Sequence, residues 1–159
     1  AYARVAAAAL RDLRPEHCRI TCGSRMQTHD VLLVAVANSD QYGNNARIAP
    51  GARIDDGRLD LVAVRAVGFC AAASLVPRLF LGNLDQSPHV ARLSGPHFVI
   101  ERTAAGLIHT DGETHHTEAT IEVAVVPRSL RIVIPAASRA VGVATSPTPA
   151  SARFALQFP

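Results

Sequence analysis

The sequence predicts a mostly β fold, an antiparallel β-sandwich with two or three short helices. From His97 onward, short apolar runs follow one another and are separated by turn residues such as Asp111-Gly112, a spacing typical of all-β domains. In the runs 121–125 and 130–134, apolar residues alternate with more polar ones, which is the period of a strand with one face on a core. Hydrophobic residues make up 48% of the 159 residues and charged residues 18%, the composition of a globular domain.

Strand patterns and two helical patterns fill the first half of the chain. The Ala-rich segment 2–13 has the spacing of an amphipathic helix that Pro15 ends. The run 31–37 is continuously apolar, which favours a strand buried on both faces. Pro77 disfavours the middle of the second helix. The predicted elements are a helix at 2–13, a strand at 17–22 with a hairpin partner at 26–29, a strand at 31–37, a loop at 38–45, a strand at 58–67 and a helix at 69–81.

The second half is predicted to be mainly strands. Its elements are a short helix at 88–93 and strands at 97–103, 107–110, 118–126 and 130–134. The last segment, 136–159, is rich in Pro, Ser and Ala, a composition typical of a mobile linker. We therefore predict one sandwich domain over 1–135, followed by a partly mobile tail over 136–159.

Charge and cysteine content exclude several classes of function. The formal net charge is +3. The sequence contains arginine but no lysine, so chemistry that needs a lysine amine is excluded. No arginine cluster is dense enough to predict nucleic-acid binding. Cys18, Cys22 and Cys70 form neither a disulfide framework nor a zinc-site spacing. We expect all three to be packing thiols in a reducing cytoplasm. No signal peptide is evident, and the longest apolar run is too short to span a bilayer.

Three sequence segments together identify a family. They are Ala-Arg-Ile-Ala-Pro at 46–50, Ala-Arg-Ile-Asp-Asp-Gly-Arg-Leu-Asp-Leu-Val at 52–62, and Asp-Gly-Glu at 111–113 followed by the closing segment 126–135. In this order they resemble the C-terminal domain of the diacylglycerol kinase/sphingosine kinase family of lipid kinases, over about 1–135. The family's glycine-rich nucleotide loop is absent, since no two glycines are adjacent. The chain is therefore expected to be a fragment, with the nucleotide-binding domain outside it. The tail is expected to be partly mobile or to return toward that domain.

The resemblance implies ATP-dependent phosphorylation of a hydroxyl on a diacylglycerol-like or sphingoid lipid. It implies that Glu113 accepts the hydroxyl proton and that Asp111 assists through a metal or water. It places a structural Mg²⁺ on the carbonyl of Arg53, the side chain of Asp56 and the carbonyl of Arg58. ATP would be bound mainly by the missing domain. The protein would be cytoplasmic and peripheral to the membrane, with a homodimer as one assembly that the family allows.

Each of these sites has a structural alternative. The Asp-Gly-Glu turn alone fits a surface hairpin with solvated acids, and residues 53–58 fit a turn without metal. His109, His115 and His116 suit a metal or a proton shuttle, or exposed strand positions. The apolar stretch 69–90 suits an acyl-chain wall or plain core. Arg47 and Arg53 either meet a phosphate or are solvated or paired.

Two other functions fit the same residues. A non-catalytic β-sandwich could bind a lipid or small ligand without phosphorylating it, because a fold does not fix a function. A relative that phosphorylates a sugar or nucleotide is the third alternative. A glycine-rich nucleotide loop encoded upstream of Ala1 would favour the kinase, whereas a start codon there would favour the binding module.

Overall fold

Antiparallel strands dominate the computed structural model, which describes residues 14–43, 45–131, 133 and 153–155. The elements are β1 Glu16–Cys22, β2 Arg25–Ala37, β3 Leu59–Arg65, α1 Phe69–Leu81, a 3₁₀ turn Leu84–Gln86, β4 Val90–Gly95, β5 His97–Arg102, β6 Gly106–Thr110, β7 Glu113–Thr117, β8 Thr120–Val126 and β9 Arg153–Ala155. The main sheet has the order β4-β3-β2-β1-β5-β8-β9, and β6 pairs with β7 as a separate hairpin.

Strand β2 connects the two layers of the sandwich. Its first half pairs with β1, where Val31 lies opposite Glu16, and its second half pairs with β3. The register shifts between Val31 and Leu33, so one extra residue is inserted there. Such a β-bulge bends a strand and raises its local twist, and strands that change layers in a sandwich turn at such bends. We call this bent region, residues 31–33, the corner.

The two layers meet closely at the end remote from the corner. Two strands separate β4 from β1 in the sheet, yet a Cβ built on Gly95 of β4 would lie 2.3 Å from the Sγ atom of Cys22 on β1. Only a glycine at position 95 leaves room for this approach. The sheet therefore folds over on itself, and the predicted antiparallel β-sandwich is confirmed.

Strand β3, which lies between β4 and β2, is buried on both faces. Its alternate residues belong to two apolar clusters, with Leu61 in the first and Val62 in the second. The first cluster fills the space between the layers and contains Cys18, Ile20, Val31, Leu59, Leu61, Ala63, Leu93, Phe98 and Ile100. The second packs under α1 and contains Ile48, Ala49, Val62, Val64, Leu75, Leu84 and Val90.

A buried ion pair crosses from β3 to β4. The Asp60 side chain, only 7% exposed, accepts hydrogen bonds at its carboxylate from Arg92 Nε at 3.0 Å and Nη2 at 2.9 Å. Arg92 Nη1 donates to the carbonyl of Pro50 at 2.6 Å and lies 3.4 Å from Asp85 Oδ2. Arg92 thus connects β3 and β4 to the loop that contains Pro50 and to the 3₁₀ turn that contains Asp85. Sequence patterns gave no sign of this pair.

Several predicted elements need correction. The predicted helix at 88–93 is wrong, because Val90–Gly95 is strand β4, paired with β3. Residues 31–37 do form a strand, but the prediction that both of its faces are buried is wrong, since Leu33 is 47% exposed. They form one continuous strand with 26–29. The strand predicted at 130–134 does not form at its described residues, and strand β7 was not predicted.

Other predictions hold or lie outside the described residues. Helix α1 continues through Pro77 and ends at Gly82, whose φ of 70° is the left-handed conformation that favours glycine. Cys18 is buried, and burial raises the pKa of its thiol, but Cys70 is exposed, so the prediction of three packing thiols is wrong. The predicted helix at 2–13 and most of the tail at 136–159 lie outside the described residues, apart from β9, which pairs with β8.

Candidate catalytic hairpin and apolar cavity

A two-residue turn presents the candidate catalytic carboxylates. Asp111 has φ of 50° and Gly112 has φ of 90°, and Thr110 lies directly opposite Glu113. Positive φ at both central residues defines the type I′ turn that closes tight hairpins, for which Asp-Gly is a preferred sequence. Glu113 is consequently the first residue of β7, and Asp111 stands at the tip of the hairpin.

The two faces of the hairpin differ in burial. Residues directly opposite each other in an antiparallel pair point to the same side, so Glu113 shares a face with Thr110, Ile108 and His115. These three neighbours are half-buried, whereas Glu113 itself is exposed. The other face is exposed and carries Leu107, His109, Thr114 and His116. Glu113 therefore lies, exposed, at the open end of the more covered face.

The three predicted histidine candidates do not gather into one group. His109 and His116 lie on the exposed face and His115 on the other. His109 Nδ1 shares a hydrogen bond with Thr114 Oγ1 at 3.2 Å. Among the described residues, no three His, Cys, Asp or Glu side chains cluster as metal ligands. A histidine metal site is therefore not supported on this hairpin.

Residues 53–58 form a turn stabilised by its own side chains. Arg53 donates from Nε and Nη2 to the two oxygens of Asp55 at 3.1 and 3.2 Å. These hydrogen bonds lower the pKa of the Asp55 carboxyl and raise that of Arg53. The N–H of Arg58 donates to Asp56 Oδ1 at 2.9 Å, and the Arg58 side chain reaches Ser94 Oγ at 3.0 Å. Arg53 is thus paired locally, as its structural alternative predicted.

The predicted Mg²⁺ ligands fit this turn as far as their chemistry goes. The hydrogen bond from the Arg58 N–H goes to Asp56 Oδ1, so Oδ2 is the oxygen of Asp56 that would face a cation. Arg53, Asp56 and Arg58 are all exposed. One carboxylate and two carbonyls, with water in the remaining positions, is a ligand set that Mg²⁺ accepts.

An apolar cavity of about 170 Å³ lies between α1 and the sheet. Every residue that lines it is apolar: Leu32, Leu33, Ile48, Val64, Ala72, Leu75, Val76, Leu79 and Leu84. Leu32 and Leu33 come from the corner of β2 and four others from α1. Five of the lining residues fall in the stretch 69–90, which the sequence proposed as an acyl-chain wall or core.

Strand register places the hairpin and the cavity at the same end of the sandwich. Arg102, the last residue before the hairpin connection, pairs with Cys18, and Cys18 pairs with His29. His29 is four residues from Leu33, which lines the cavity. At about 3.3 Å per residue this is roughly 13 Å along β2. The base of the hairpin and the part of the cavity lined by Leu33 therefore both lie toward the corner end.

Residues 53–58 lie at the opposite end. The turn leads into Leu59, which pairs with Gly95, and Gly95 approaches Cys22 at the end remote from the corner. Strand β5 starts there at His97 and runs to Arg102 at the corner end. The six residues of β5 extend about 17 Å at 3.4 Å per step, so the turn and the hairpin do not form one site. A cation on the turn would support the fold rather than the reacting groups.

Residues 1–134 match the family model described as "YegS C-terminal NAD kinase beta sandwich-like domain". The chain belongs to this family. The match covers well over half of the sequence and confirms the resemblance to lipid kinases drawn from the three segments.

Curated relatives and solved structures agree with this family. Proteins named "Probable lipid kinase YegS-like" from Enterobacter sp. (strain 638) and Citrobacter koseri are 28% and 26% identical over 125 residues. Each alignment covers 77% of this chain and 40% of the relative, so this YegS-type domain spans about two fifths of their length. A candidate diacylglycerol kinase from Bacillus anthracis str. Sterne superposes with a TM-score of 0.61 at 22% identity, over 75% of this chain and 42% of that one. A second diacylglycerol kinase structure from that organism superposes with a TM-score of 0.55 at 21% identity. The superposition covers 72% of this chain and 41% of that one.

Two features of this YegS-type domain were missed by sequence reasoning. One is the Asp60–Arg92 pair, and the other is Arg102, which contacts the base of the candidate catalytic hairpin. Asp60 lies within the segment 52–62, but Arg92 and Arg102 lie outside the three segments, so these contacts become visible only with the strand register. In the part of the chain that the structure describes, no helix has the length and hydrophobicity to cross a membrane.

Proposed function

We propose that this chain is the substrate-binding half of an ATP-dependent lipid kinase that phosphorylates the hydroxyl of a diacylglycerol-like or sphingoid lipid. The observation that carries the proposal is that an exposed Asp-Gly-Glu turn and an apolar cavity lie at the same end of the sandwich. ATP is bound mainly by residues outside this chain, consistent with the shorter span of the chain relative to its relatives.

Glu113 is the proton acceptor in this proposal. The lipid hydroxyl oxygen attacks the γ-phosphorus of ATP, its proton passes to the Glu113 carboxylate, and ADP leaves. Asp111, two residues away on the same turn, orients the reacting groups through a metal or water. The type I′ turn suits this role because it holds both carboxylates at a fixed point of the backbone.

The cavity under α1 is proposed to receive part of an acyl or sphingoid chain. Its lining offers no polar group, so it favours hydrocarbon over a sugar or nucleoside. The volume of about 170 Å³ holds a segment of such a chain rather than a whole lipid. The remaining hydrocarbon would lie along exposed apolar residues near the cavity, such as Leu33 and Val76.

Filling the cavity is expected to weaken lipid binding. Ala72 is buried and lines the cavity, so Ala72→Leu should raise the KM for a long-chain lipid by about fivefold or more, since each lost buried methylene contact costs about 0.8 kcal/mol. The KM for ATP should not change. Ala71→Leu, on the same helix but outside the cavity lining, is the matched control. Equal lipid KM values for both variants would remove the cavity from substrate binding.

The turn at 53–58 is proposed to hold a structural Mg²⁺ through the Arg53 carbonyl, the Asp56 side chain and the Arg58 carbonyl. Asp56→Asn should abolish any rise in Tm that millimolar MgCl₂ produces in the parent chain, because the variant lacks the one charged ligand. Asp40→Asn, on another exposed loop, controls for general charge effects. A Tm rise that is unchanged in Asp56→Asn would exclude this site.

The domain is proposed to act in the cytoplasm at the membrane surface. Phe69, Val76 and Phe80 are exposed apolar residues of α1, and their spacing puts them on one stripe of the helix, beside the residues that line the cavity. Such a stripe can rest on the lipid interface without spanning it. A homodimer remains a further prediction from the family resemblance, and no role in nucleic-acid binding is proposed.

A non-catalytic lipid-binding module is the second candidate, and the apolar cavity alone favours it. The two functions differ in their need for ATP. The decisive test is transfer of phosphate from ATP to lipid by the intact protein, since a binding module would retain lipid but transfer nothing.

A further inference from the structure

The candidate catalytic hairpin is an insertion between two paired strands. The pairing of β5 with β8 ends at Glu101 and Thr120, and the backbone N–H of Arg102 donates to the carbonyl of Ala119 at 2.7 Å. Beyond this point, only residues 103–105 on one side and 118–119 on the other lead to β6 and β7. A two-stranded hairpin is only marginally stable by itself, so its angle to the sheet depends on contacts at these connections.

The Arg102 side chain spans both connections. Its Nη2 donates to Thr117 Oγ1 at 2.8 Å and to the carbonyl of Glu118 at 3.0 Å. Longer contacts of 3.3–3.4 Å reach the carbonyls of Leu107, Gly106 and Thr117. Since Nη2 carries two protons, the two shortest bonds are the principal ones. These two bonds reach β7 and the connection after it, whereas the longer bond from Nη1 to the Leu107 carbonyl at 3.3 Å reaches β6. One guanidinium thus contacts both strands of the hairpin at its base.

The guanidinium of Arg102 lies beside Gly106 of β6. A Cβ built on Gly106 would lie 3.4 Å from Arg102 Nη1 and 3.9 Å from its Cζ, which is ordinary van der Waals contact. The guanidinium thus packs directly on the backbone of β6. A lysine could not reproduce the arrangement, because its donors sit on one nitrogen whereas arginine presents a planar fork.

We propose that Arg102 is a positioning residue that sets the orientation of Glu113; this inference rests on the proposed function. The four residue steps from Gly106 to Thr110 span about 13 Å, so a tilt of about 5° at the base moves the turn by about 1 Å. A displacement of that size at a reacting group can lower a rate about 100-fold. Arg102 touches neither substrate nor ATP in this scheme and acts only through the hairpin.

The test is a double-mutant cycle in the intact protein. Arg102→Gln should lower kcat about 10- to 100-fold with KM values for lipid and ATP within about twofold, because binding groups are unchanged. In a Glu113→Gln background the same substitution should cost less than about threefold, since residues that act as a unit are not additive. Arg102→Lys keeps the charge and should recover only part of the lost rate.

Each result bears on a separate claim. Arg19→Gln, on the neighbouring strand, removes an exposed ion pair with Glu101 and should leave kcat unchanged. If Arg102→Gln lowers kcat equally in both backgrounds, or if Arg102→Lys restores full activity, the positioning role is overturned while the proposed function stands. If Glu113→Gln alone leaves kcat unchanged, the proposed function loses its proton acceptor, whatever Arg102 does.

Discussion

Replacing Glu113 by Gln in the intact protein should lower kcat for lipid phosphorylation by about 10²- to 10⁴-fold, the usual contribution of a positioned general base. Glutamine has nearly the same shape, but its amide cannot accept the hydroxyl proton at neutral pH. Because Glu113 is exposed at the end of a strand, the fold should not depend on its charge. The Tm should therefore match that of the parent protein.

The control for this prediction is Glu118→Gln. Glu118 is another exposed glutamate beside the hairpin, and only its backbone carbonyl contacts Arg102. Steady-state kinetics with ATP and lipid should show a normal kcat for this variant and a much lower one for Glu113→Gln. A kcat for Glu113→Gln within about threefold of the parent would be too small a loss for a general base.

Replacing Asp60 by Ala should destabilise the domain by about 2–4 kcal/mol. Removing one partner of a buried pair leaves the other charge without compensation, which typically costs about 3–5 kcal/mol. The lower range is expected here, because the Arg92 side chain is 26% exposed and keeps contacts with Pro50 and Asp85. Chemical denaturation of the 159-residue chain measures this loss.

Two further variants separate the ion pair from general damage. Glu101→Ala removes one member of an exposed pair with Arg19, so its unfolding midpoint should equal that of the parent chain. The double variant Asp60→Leu with Arg92→Met should be more stable than Asp60→Ala, because no charge is left buried. A midpoint for Asp60→Ala equal to that of Glu101→Ala would show that the pair contributes nothing to stability.

Local sequence predicted the elements that turn chemistry or apolar periodicity defines. The Asp111-Gly112 turn has the type I′ conformation that this dipeptide favours. Asn45 has φ of 63°, which asparagine tolerates better than most residues. Helix α1 forms despite Pro77, since burial of Ala72 and of Leu75, a member of the second cluster, offsets one missing hydrogen bond.

The mistakes arose where strand pairing outweighs local pattern. Residues 114–117, Thr-His-His-Thr, contain no apolar run, and they form β7 only because β6 lies beside them. Residues 88–93 have a helix-compatible composition, but Val90 to Gly95 pair with β3 along their whole length. Strand preference depends on the neighbouring strand more than on the residues themselves.

The sequence predicted which residues belong to the candidate site, but not how they are arranged in space. Family resemblance pointed to Asp111 and Glu113, and the structure puts both on one turn. The strand register separates residues 53–58 from that turn. The same register, followed over several strands, places the base of the hairpin and the cavity toward the corner end. A local pattern contains no information of that kind. The same holds for Arg102, whose partners lie up to 16 residues further along the chain.

Transfer of the γ-phosphate of radiolabelled ATP by the intact protein, with lipid and soluble hydroxyl acceptors compared side by side, tests the central claim most directly. We expect labelled product in the organic phase with diacylglycerol or a sphingoid base, and none with glycerol, a sugar or a nucleoside. Label on soluble acceptors alone would favour the sugar- or nucleotide-kinase alternative. Lipid binding without any ATP-dependent transfer would contradict the kinase assignment and leave the binding module in its place.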